Sequence, residues 1–117
     1  MGNSVEYKTL RIYISSTDQY KFKPLYETIV FEAKRYGMAG ATVLKGIMGY
    51  GASSEIYNEK FWVLSEKIPL VIEIVDEAPK IDGFVETILP FMRDVPKGCL
   101  ISVQKNEFIY RKPGEKK

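Results

Sequence analysis

The alternation of apolar and polar residues near the start of the chain predicts a β-strand. Leu10, Ile12 and Ile14 are apolar and Arg11 between them is polar, which is the period of two expected of a strand with one buried face. A polar stretch follows at 15–23 and carries residues that are common at helix starts. The first element is therefore a strand that leads towards a helix.

A period of three and four residues then predicts an amphipathic helix. Pro24 suits its first position, where a missing N–H leaves no helical hydrogen bond unmade, and Gly37 suits its end. The apolar positions of the predicted buried face are Leu25, Ile29, Val30 and Ala33.

Three further apolar runs and a second helical pattern complete the order of elements. Residues 41–47, 68–75 and 100–105 are predicted strands. Asp76 and Glu77 are expected to open the second helix, with Asp76 as its cap, and Pro90 to end or kink it. The apolar face of this helix comprises Ile81, Phe84, Val85, Ile88 and Leu89.

The order strand–helix–strand–strand–helix–strand predicts an α+β fold, the ferredoxin-like βαββαβ sandwich, with both helices on one face of an antiparallel sheet. A length of 117 residues suits one domain, 1–117. We expect a long loop at 51–67, with a short helical turn near Phe61 and Trp62. A short fifth strand is expected at 108–110, and a frayed basic tail at 112–117.

The third predicted strand lacks the alternation expected when helices cover only one face of a sheet. In 70–75 only Glu73 is polar, and we expect it to pair with Arg11 across the sheet. Val43 and Leu44 likewise place apolar side chains on opposite faces. A second copy of the chain is the simplest cover for the open face. The alternative is that these strands are central and their open face is partly apolar.

The composition excludes several kinds of catalytic and metal-binding site. The chain has no histidine and one cysteine, Cys99. Ser–His and Cys–His nucleophile pairs are therefore excluded, and neither imidazole nor a set of thiolates is available for zinc. We expect a protein that is not an enzyme, has no metal site and requires no cofactor.

Charge and hydropathy indicate which kinds of partner and which cellular compartment to expect. The formal net charge is +2, which gives no case for a nucleic-acid partner. No apolar run reaches the roughly 18 residues of a membrane span, and the polar residues 1–8 do not resemble a signal peptide. A single cysteine suits a reducing compartment. We expect a cytoplasmic protein that does not insert into a membrane.

A glycine-rich segment after the second predicted strand is the first candidate site. Glycine allows backbone N–H groups to approach phosphate oxygens, and a neighbouring lysine adds positive charge. A bulge and hinge at the base of a long loop would need the same glycines. The candidate ligand-binding residues here are Lys45, Gly46, Met48, Gly49, Tyr50 and Gly51.

A second candidate group lies near the two ends of the fourth predicted strand. Lys97 and Gly98 precede this strand, and Arg111 and Lys112 follow it. Taken singly, each cation is most simply a solvated surface charge. If a trimer brought them to the glycine segment of a neighbour, they would bind a diphosphate or triphosphate through charge-assisted hydrogen bonds.

Several segments resemble an uncharacterised prokaryotic family related to PII signal-transduction proteins. The segments that carry the resemblance are 23–27, 40–51, 64–65 and 69–76, within a match from about Leu10 to Val103. The resemblance implies a ferredoxin-like fold, a homotrimer and ligand clefts between neighbouring subunits. Family members are sometimes encoded beside or fused to fluoride exporters. We expect the partner of this chain to be a membrane transporter or an enzyme.

A weaker similarity to the PII proteins themselves lies at 43–46, 97–98 and 110–115. In PII proteins these segments meet at each subunit boundary and bind ATP or ADP, and a long T-loop begins after the second strand. The similarity implies an adenine nucleotide as ligand. It also implies that the T-loop-like residues 51–67 signal to a partner protein. An adaptor trimer without a small-molecule ligand is the alternative.

Overall fold

A computed structural model of the chain describes residues 5–49, 57–58, 67–107 and 110–114. Its strands are β1 (Tyr7–Ser15), β2 (Gln19–Tyr20), β3 (Lys23–Pro24), β4 (Thr42–Lys45), β5 (Met48–Gly49), β6 (Tyr57–Asn58), β7 (Pro69–Glu77) and β8 (Leu100–Asn106). Its helices are α1 (Leu25–Tyr36) and α2 (Ala78–Asp94).

The main sheet has the strand order β4-β7-β1-β8, and every neighbouring pair is antiparallel. The central strand β1 pairs Ile12 with Ile72 of β7 and with Ile101 of β8. Together with the helices that follow β1 and β7, this arrangement is the ferredoxin-like sandwich, so the predicted fold class is confirmed.

One core lies between the sheet and the two helices. The side chains that are buried without measurable exposure come from both layers, because alternate strand residues and every third or fourth helical residue face inward. They are Leu10, Ile12, Leu25, Ile72, Ile74, Ile81, Phe84 and Ile88. Neither described helix is apolar over enough length to cross a bilayer.

The end of α1 lies where the sequence predicts it. Gly37 has φ of 97°, a left-handed conformation that side chains with a β-carbon rarely adopt. Its N–H donates to the carbonyl oxygens of Ala33 and Lys34, at 3.2 and 3.1 Å. The predicted stop at Gly37 is therefore confirmed.

The start of α2 differs from the prediction. Asp76 and Glu77 form the end of β7, because β7 stays paired with β1 as far as Tyr7 opposite Glu77. Asp76 is not the cap of the helix. Its buried carboxylate instead accepts hydrogen bonds from the N–H of Ala39, at 2.8 Å, and of Glu77, at 2.7 Å. It thereby ties the loop after α1 to the junction of β7 and α2.

Pro90 does not end α2, which continues to Asp94. Ile88 and Met92, on either side of this proline, are both buried, so core packing continues across the position at which one backbone hydrogen bond is lost.

The second main-sheet strand is shorter than the predicted 41–47. Pairing with β7 ends at Lys45 opposite Leu70, and the N–H of Gly46 donates to the carbonyl of Pro69 at 2.8 Å. The chain then leaves the main sheet, and β5 pairs with β6 inside the segment expected to be a loop.

The polar stretch before α1 contains a small hairpin that the hydrophobic pattern does not predict. Strands β2 and β3 pair across Lys21 and Phe22, whose φ values are 50° and 69°. Positive φ at both central residues is the geometry of tight hairpin turns. Phe22 lies at the tip and is 95% exposed.

Some expected elements lie outside the described residues. These are the helical turn near Phe61 and Trp62, most of the loop at 51–67, and 108–109 of the expected fifth strand. Tyr110 belongs to no strand. Of the expected basic tail, residues 112–114 are exposed and have no regular structure.

The face of the sheet that points away from the helices is polar at one end and apolar at the other. Arg11 Nε lies 2.9 Å from Glu73 Oε2 across β1 and β7, so the predicted ion pair is confirmed. At the other end Tyr13 pairs with both Val71 and Leu100, and Leu100 is 59% exposed. Leu44 of β4, which pairs with Val71, extends this apolar end.

Candidate ligand-binding cleft

Four strands meet at one end of the main sheet and form a cleft. β1 ends there with Ser15 opposite Pro69, β4 ends there with Lys45 opposite Leu70, and β8 begins there. The cleft has a volume of about 550 Å³. The antiparallel sheet brings together strand ends that are distant in the sequence. One cleft therefore contains residues from the glycine-rich segment after β4 and from the turn before β8.

The described residues that line the cleft are Tyr13, Ile14, Ser15, Thr17, Asp18, Gly46, Met48, Gly49, Lys67, Pro69, Leu70, Val71, Lys97, Gly98, Cys99 and Leu100. Apolar side chains contribute one part of this surface, whereas glycines, lysines and hydroxyl groups contribute the other. A site of that composition can hold a flat apolar group beside an anion.

Gly46 allows β4 to leave the sheet close to Pro69. A β-carbon added at Gly46 would lie 3.1 Å from Pro69 Cγ and 3.3 Å from the Pro69 carbonyl oxygen. The same addition at Gly49 would meet no atom within 4 Å. The close approach of Pro69 therefore explains why glycine stands at position 46. At position 49 the described residues leave room for a side chain.

We expect Gly46→Ala to lower the free energy of unfolding by about 1 kcal/mol, since overpacking costs about 1–3 kcal/mol and part of that is offset by the lower entropy of the unfolded chain. Urea-induced unfolding followed by circular dichroism measures the change. Gly49→Ala is the matched control and is expected to be neutral or slightly stabilising. Equal effects of the two substitutions would contradict the packing argument.

The opposite wall of the cleft is the turn between α2 and β8. Val95 is buried and its N–H donates to the Met92 carbonyl at 3.3 Å, which fixes the start of the turn. Lys97 and Gly98 follow and line the cleft. The structure thus brings Gly46, Met48 and Gly49 to the same cleft as Lys97 and Gly98.

The other predicted site residues do not line this cleft in the described chain. Lys45 is exposed at the end of β4 and shares the helix-facing side of the sheet with Leu70. Arg111 and Lys112 are exposed residues after β8. Tyr50 and Gly51 lie outside the described residues. A ligand-binding role for all ten candidates stays a prediction.

Asp18 is the cleft residue that the sequence analysis missed. Its carboxylate is buried, and Oδ2 accepts a hydrogen bond from the N–H of Ser15 at 3.0 Å. Its backbone is fixed as well, because its N–H donates to Ser15 and its carbonyl accepts from the N–H of Leu25, at 3.1 and 2.8 Å. Lys67, two residues before β7, was also missed. Both lie in polar loops that have no periodic pattern.

The electrostatics of the cleft centre on Asp18. Burial raises the pKa of its carboxyl group above the ordinary value, and the Ser15 N–H, Lys97 and Lys67 act in the opposite direction. Desolvation raises the pKa of the Cys99 thiol, and the negative charge of Asp18 adds to this effect. Cys99 therefore stays a thiol at neutral pH rather than a nucleophilic thiolate.

The described residues contain no group of side chains arranged to bind a metal ion. Within residues 5–49, 57–58, 67–107 and 110–114, no three acidic or cysteine side chains are grouped closely enough to hold a metal ion.

Comparison with known sequences shows the family. A family profile described as an uncharacterized ACR, DUF190, matches residues 7–108. A UPF0166 protein of Aquifex aeolicus is 42% identical over 84 residues, which is 72% of this chain and 80% of that protein. A UPF0166 protein of Methanocaldococcus jannaschii is 34% identical over 107 residues, which is 92% of this chain and 94% of that protein.

Comparison with solved structures shows the fold. CPII of Thiomonas intermedia, a nitrogen regulatory PII-like protein bound to ADP, AMP and bicarbonate, has a TM-score of 0.61 at 15% identity, over 86% of this chain and 88% of that chain. CPII bound to ADP and bicarbonate gives 0.59 at 16% identity over the same shares. The de novo designed protein Foldit4 gives 0.51 at 17% identity, over 89% of this chain and 100% of that chain. A fold shared with a designed protein does not by itself fix a function.

Proposed function

Since the chain belongs to the DUF190 (UPF0166) family and has a PII-like fold, we propose that it is a PII-like regulatory protein that binds an adenine nucleotide. The nucleotide occupies the cleft at the end of the sheet, where Lys97 and the backbone N–H groups of the turn at 97–98 bind its phosphates and the apolar wall accommodates its base. The protein acts by binding, without catalysing a reaction.

The observation that carries this proposal is the composition of the cleft. Gly46 and Gly49 lie on one wall and Lys97 and Gly98 on the other, and these segments are about fifty residues apart in the sequence. Backbone N–H groups beside a lysine are a frequent solution for phosphate binding. The structures of CPII with ADP and AMP support the choice of ligand, although they share only the fold with this chain.

A homotrimer is part of the proposal. Leu44, Tyr13 and Leu100 are 47%, 39% and 59% exposed at the apolar end of the open sheet face. Apolar surface of this kind favours contact with a second copy of the chain, as the resemblance to PII proteins implies. In the trimer, Arg111 and Lys112 of a neighbour would complete the cleft.

The proposed signal passes from the ligand in the cleft to the 51–67 segment, because cleft residues directly precede this segment in the chain. Gly46, Met48 and Gly49 line the cleft and lead directly into that segment. A ligand that binds one arrangement of the segment more tightly shifts its population, and a partner such as a membrane transporter or an enzyme senses the shift. The alternative function, an adaptor trimer without a ligand, is favoured only by the apolar sheet face.

We expect isothermal titration calorimetry to detect ADP or AMP binding, and light scattering to give the mass of a trimer. Lys97→Gln should weaken nucleotide binding about 10-fold or more, because a hydrogen bond to a charged group contributes about 1.5–3 kcal/mol. Lys105→Gln is the matched control. Lys105 is 75% exposed, pairs with Glu6 and lies outside the cleft, so affinity should change less than about twofold.

Two results would contradict the proposal. A trimer that binds none of ATP, ADP and AMP would favour the adaptor function. Equal losses of nucleotide affinity in Lys97→Gln and Lys105→Gln would show that affinity depends on the overall charge of the protein rather than on a contact in the cleft.

A further inference from the structure

We propose that Asp18 determines the specificity of the cleft by accepting a hydrogen bond from a neutral donor of the ligand, a hydroxyl or an amino group, next to its phosphate. This inference rests on the proposed nucleotide-binding function and extends it to a residue outside both candidate groups.

Asp18 is a charged group in a place where charge is costly. The residue is 4% exposed, and a buried carboxylate requires hydrogen bonds to offset the loss of water. Two carboxylate oxygens offer about four acceptor positions. Among the described residues, the only donor within hydrogen-bond distance of this side chain is the Ser15 N–H, which reaches Oδ2. Acceptor capacity therefore remains at the wall of the cleft.

The surroundings of Asp18 define what the cleft can accept. Asp18 is the only acidic residue among the described residues that line it, and Lys67 and Lys97 line it as well. A carboxylate repels a simple anion such as inorganic phosphate. A ligand that places a hydroxyl or amino donor against Asp18 and its phosphate against the lysines turns that repulsion into a hydrogen bond. The cleft therefore favours nucleotides over bare phosphate.

Two hydroxyl groups extend the polar side of the cleft beside Asp18. Ser15 Oγ lies 3.1 Å from Thr17 Oγ1, and the N–H of Thr17 donates to Ser15 Oγ at 3.3 Å. Both residues line the cleft. Hydroxyl groups can donate or accept, so this side suits the sugar of a nucleotide, whereas the apolar wall suits its base.

Asp18→Asn separates ligand recognition from loop structure. The amide oxygen of asparagine can still accept from the Ser15 N–H, which places the NH₂ group where the second carboxylate oxygen stood. An amino group of the ligand then faces a donor and loses its hydrogen bond, whereas a ligand hydroxyl exchanges a hydrogen bond to a charged acceptor for a weaker neutral one. Because burial raises the pKa of Asp18, its ionised form disfavours the folded state at neutral pH, so the variant should be at least as stable as the wild type there.

The test compares ratios of affinity, measured by calorimetry. ADP is compared with 2′,3′-dideoxy-ADP, which lacks the ribose hydroxyls, and with purine riboside diphosphate, which lacks the amino group. In the wild type, one of the two analogues should bind about 10-fold more weakly than ADP. In Asp18→Asn, that ratio should fall to within about twofold if Asp18 binds the amino group, and to about threefold if it binds a hydroxyl. Deleting a negative charge raises the affinity for every anion. Because ADP and its analogues carry the same diphosphate, this general gain cancels in the ratio of their affinities.

Asp82→Asn is the matched control, since it removes the same charge from a 59% exposed side chain of α2 that pairs with Lys8 outside the cleft. It should keep the wild-type ratio. If ADP binds but the ratio is the same in Asp18→Asn as in the wild type, or if neither analogue binds more weakly, the role of Asp18 is refuted while the proposed function stands. If no adenine nucleotide binds the wild type, both are refuted.

Discussion

Replacing Phe84 with alanine is expected to lower the free energy of unfolding by about 3–5 kcal/mol, the usual cost of removing a buried phenylalanine ring. Phe84 has no measurable exposure and lies in the core between α2 and the sheet. Its ring also packs edge-on against Tyr36 of α1, with centroids 5.6 Å apart. Since single domains are stable by about 5–15 kcal/mol, this one substitution removes a large part of the total.

Urea-induced unfolding of Phe84→Ala measures the loss, and Phe84→Leu should recover more than half of it because most of the volume is restored. Phe31→Ala is the surface control. Phe31 is 62% exposed on α1, so its removal should change stability by less than about 0.5 kcal/mol. If Phe84→Ala cost no more than the surface control, the core described above would be wrong.

The second large effect is expected from Asp76→Ala, at about 2–3 kcal/mol. The substitution removes the carboxylate that accepts from the part-buried N–H groups of Ala39 and Glu77, and a hydrogen bond to a charged group contributes about 1.5–3 kcal/mol. Asp76→Asn should cost less, because one amide oxygen can still accept. Hydrogen exchange gives a local measurement, and the amide of Ala39 should exchange faster in both variants.

Asp82→Ala is the control for Asp76→Ala, since it removes an exposed acid that pairs with Lys8 at 2.8 Å, and such surface pairs contribute about 0–1 kcal/mol. An Asp76→Ala variant as stable as Asp82→Ala, with unchanged exchange at Ala39, would show that the carboxylate does not tie the two segments together.

The fold could be predicted from the sequence because periodicity is a local signal of burial. Leu10, Ile12 and Ile14 face the core as their alternation predicts, and the α1 positions Leu25 and Ile29 do so at helical spacing. The element boundaries were less accurate. Asp76 and Glu77 resemble a helix start in composition, whereas pairing of β7 with β1 decides where the strand ends, and that pairing joins residues far apart in the chain.

The cleft could be predicted only in part, for a related reason. Gly46, Gly49 and Lys97 stand out by residue type, and the topology of the sheet then brings them together. Asp18 does not stand out, because an aspartate in a polar loop is usually exposed. Asp18 directly precedes the hairpin of β2 and β3 and accepts a hydrogen bond from Ser15, and no periodic pattern encodes either feature.

The position of β1 at the centre of the sheet has a consequence for how the protein folds. Arg11 of this first strand contacts Glu73 and Gln104, which lie 62 and 93 residues later in the chain. Contacts of such long range slow folding, because loop-closure entropy is lost before the contacts can compensate for it. During synthesis β1 emerges first but has no partner until β7, and the sheet closes only with β8. The cleft needs the ends of both strands, so under the proposed function a nucleotide would bind, and stabilise, only the completed fold.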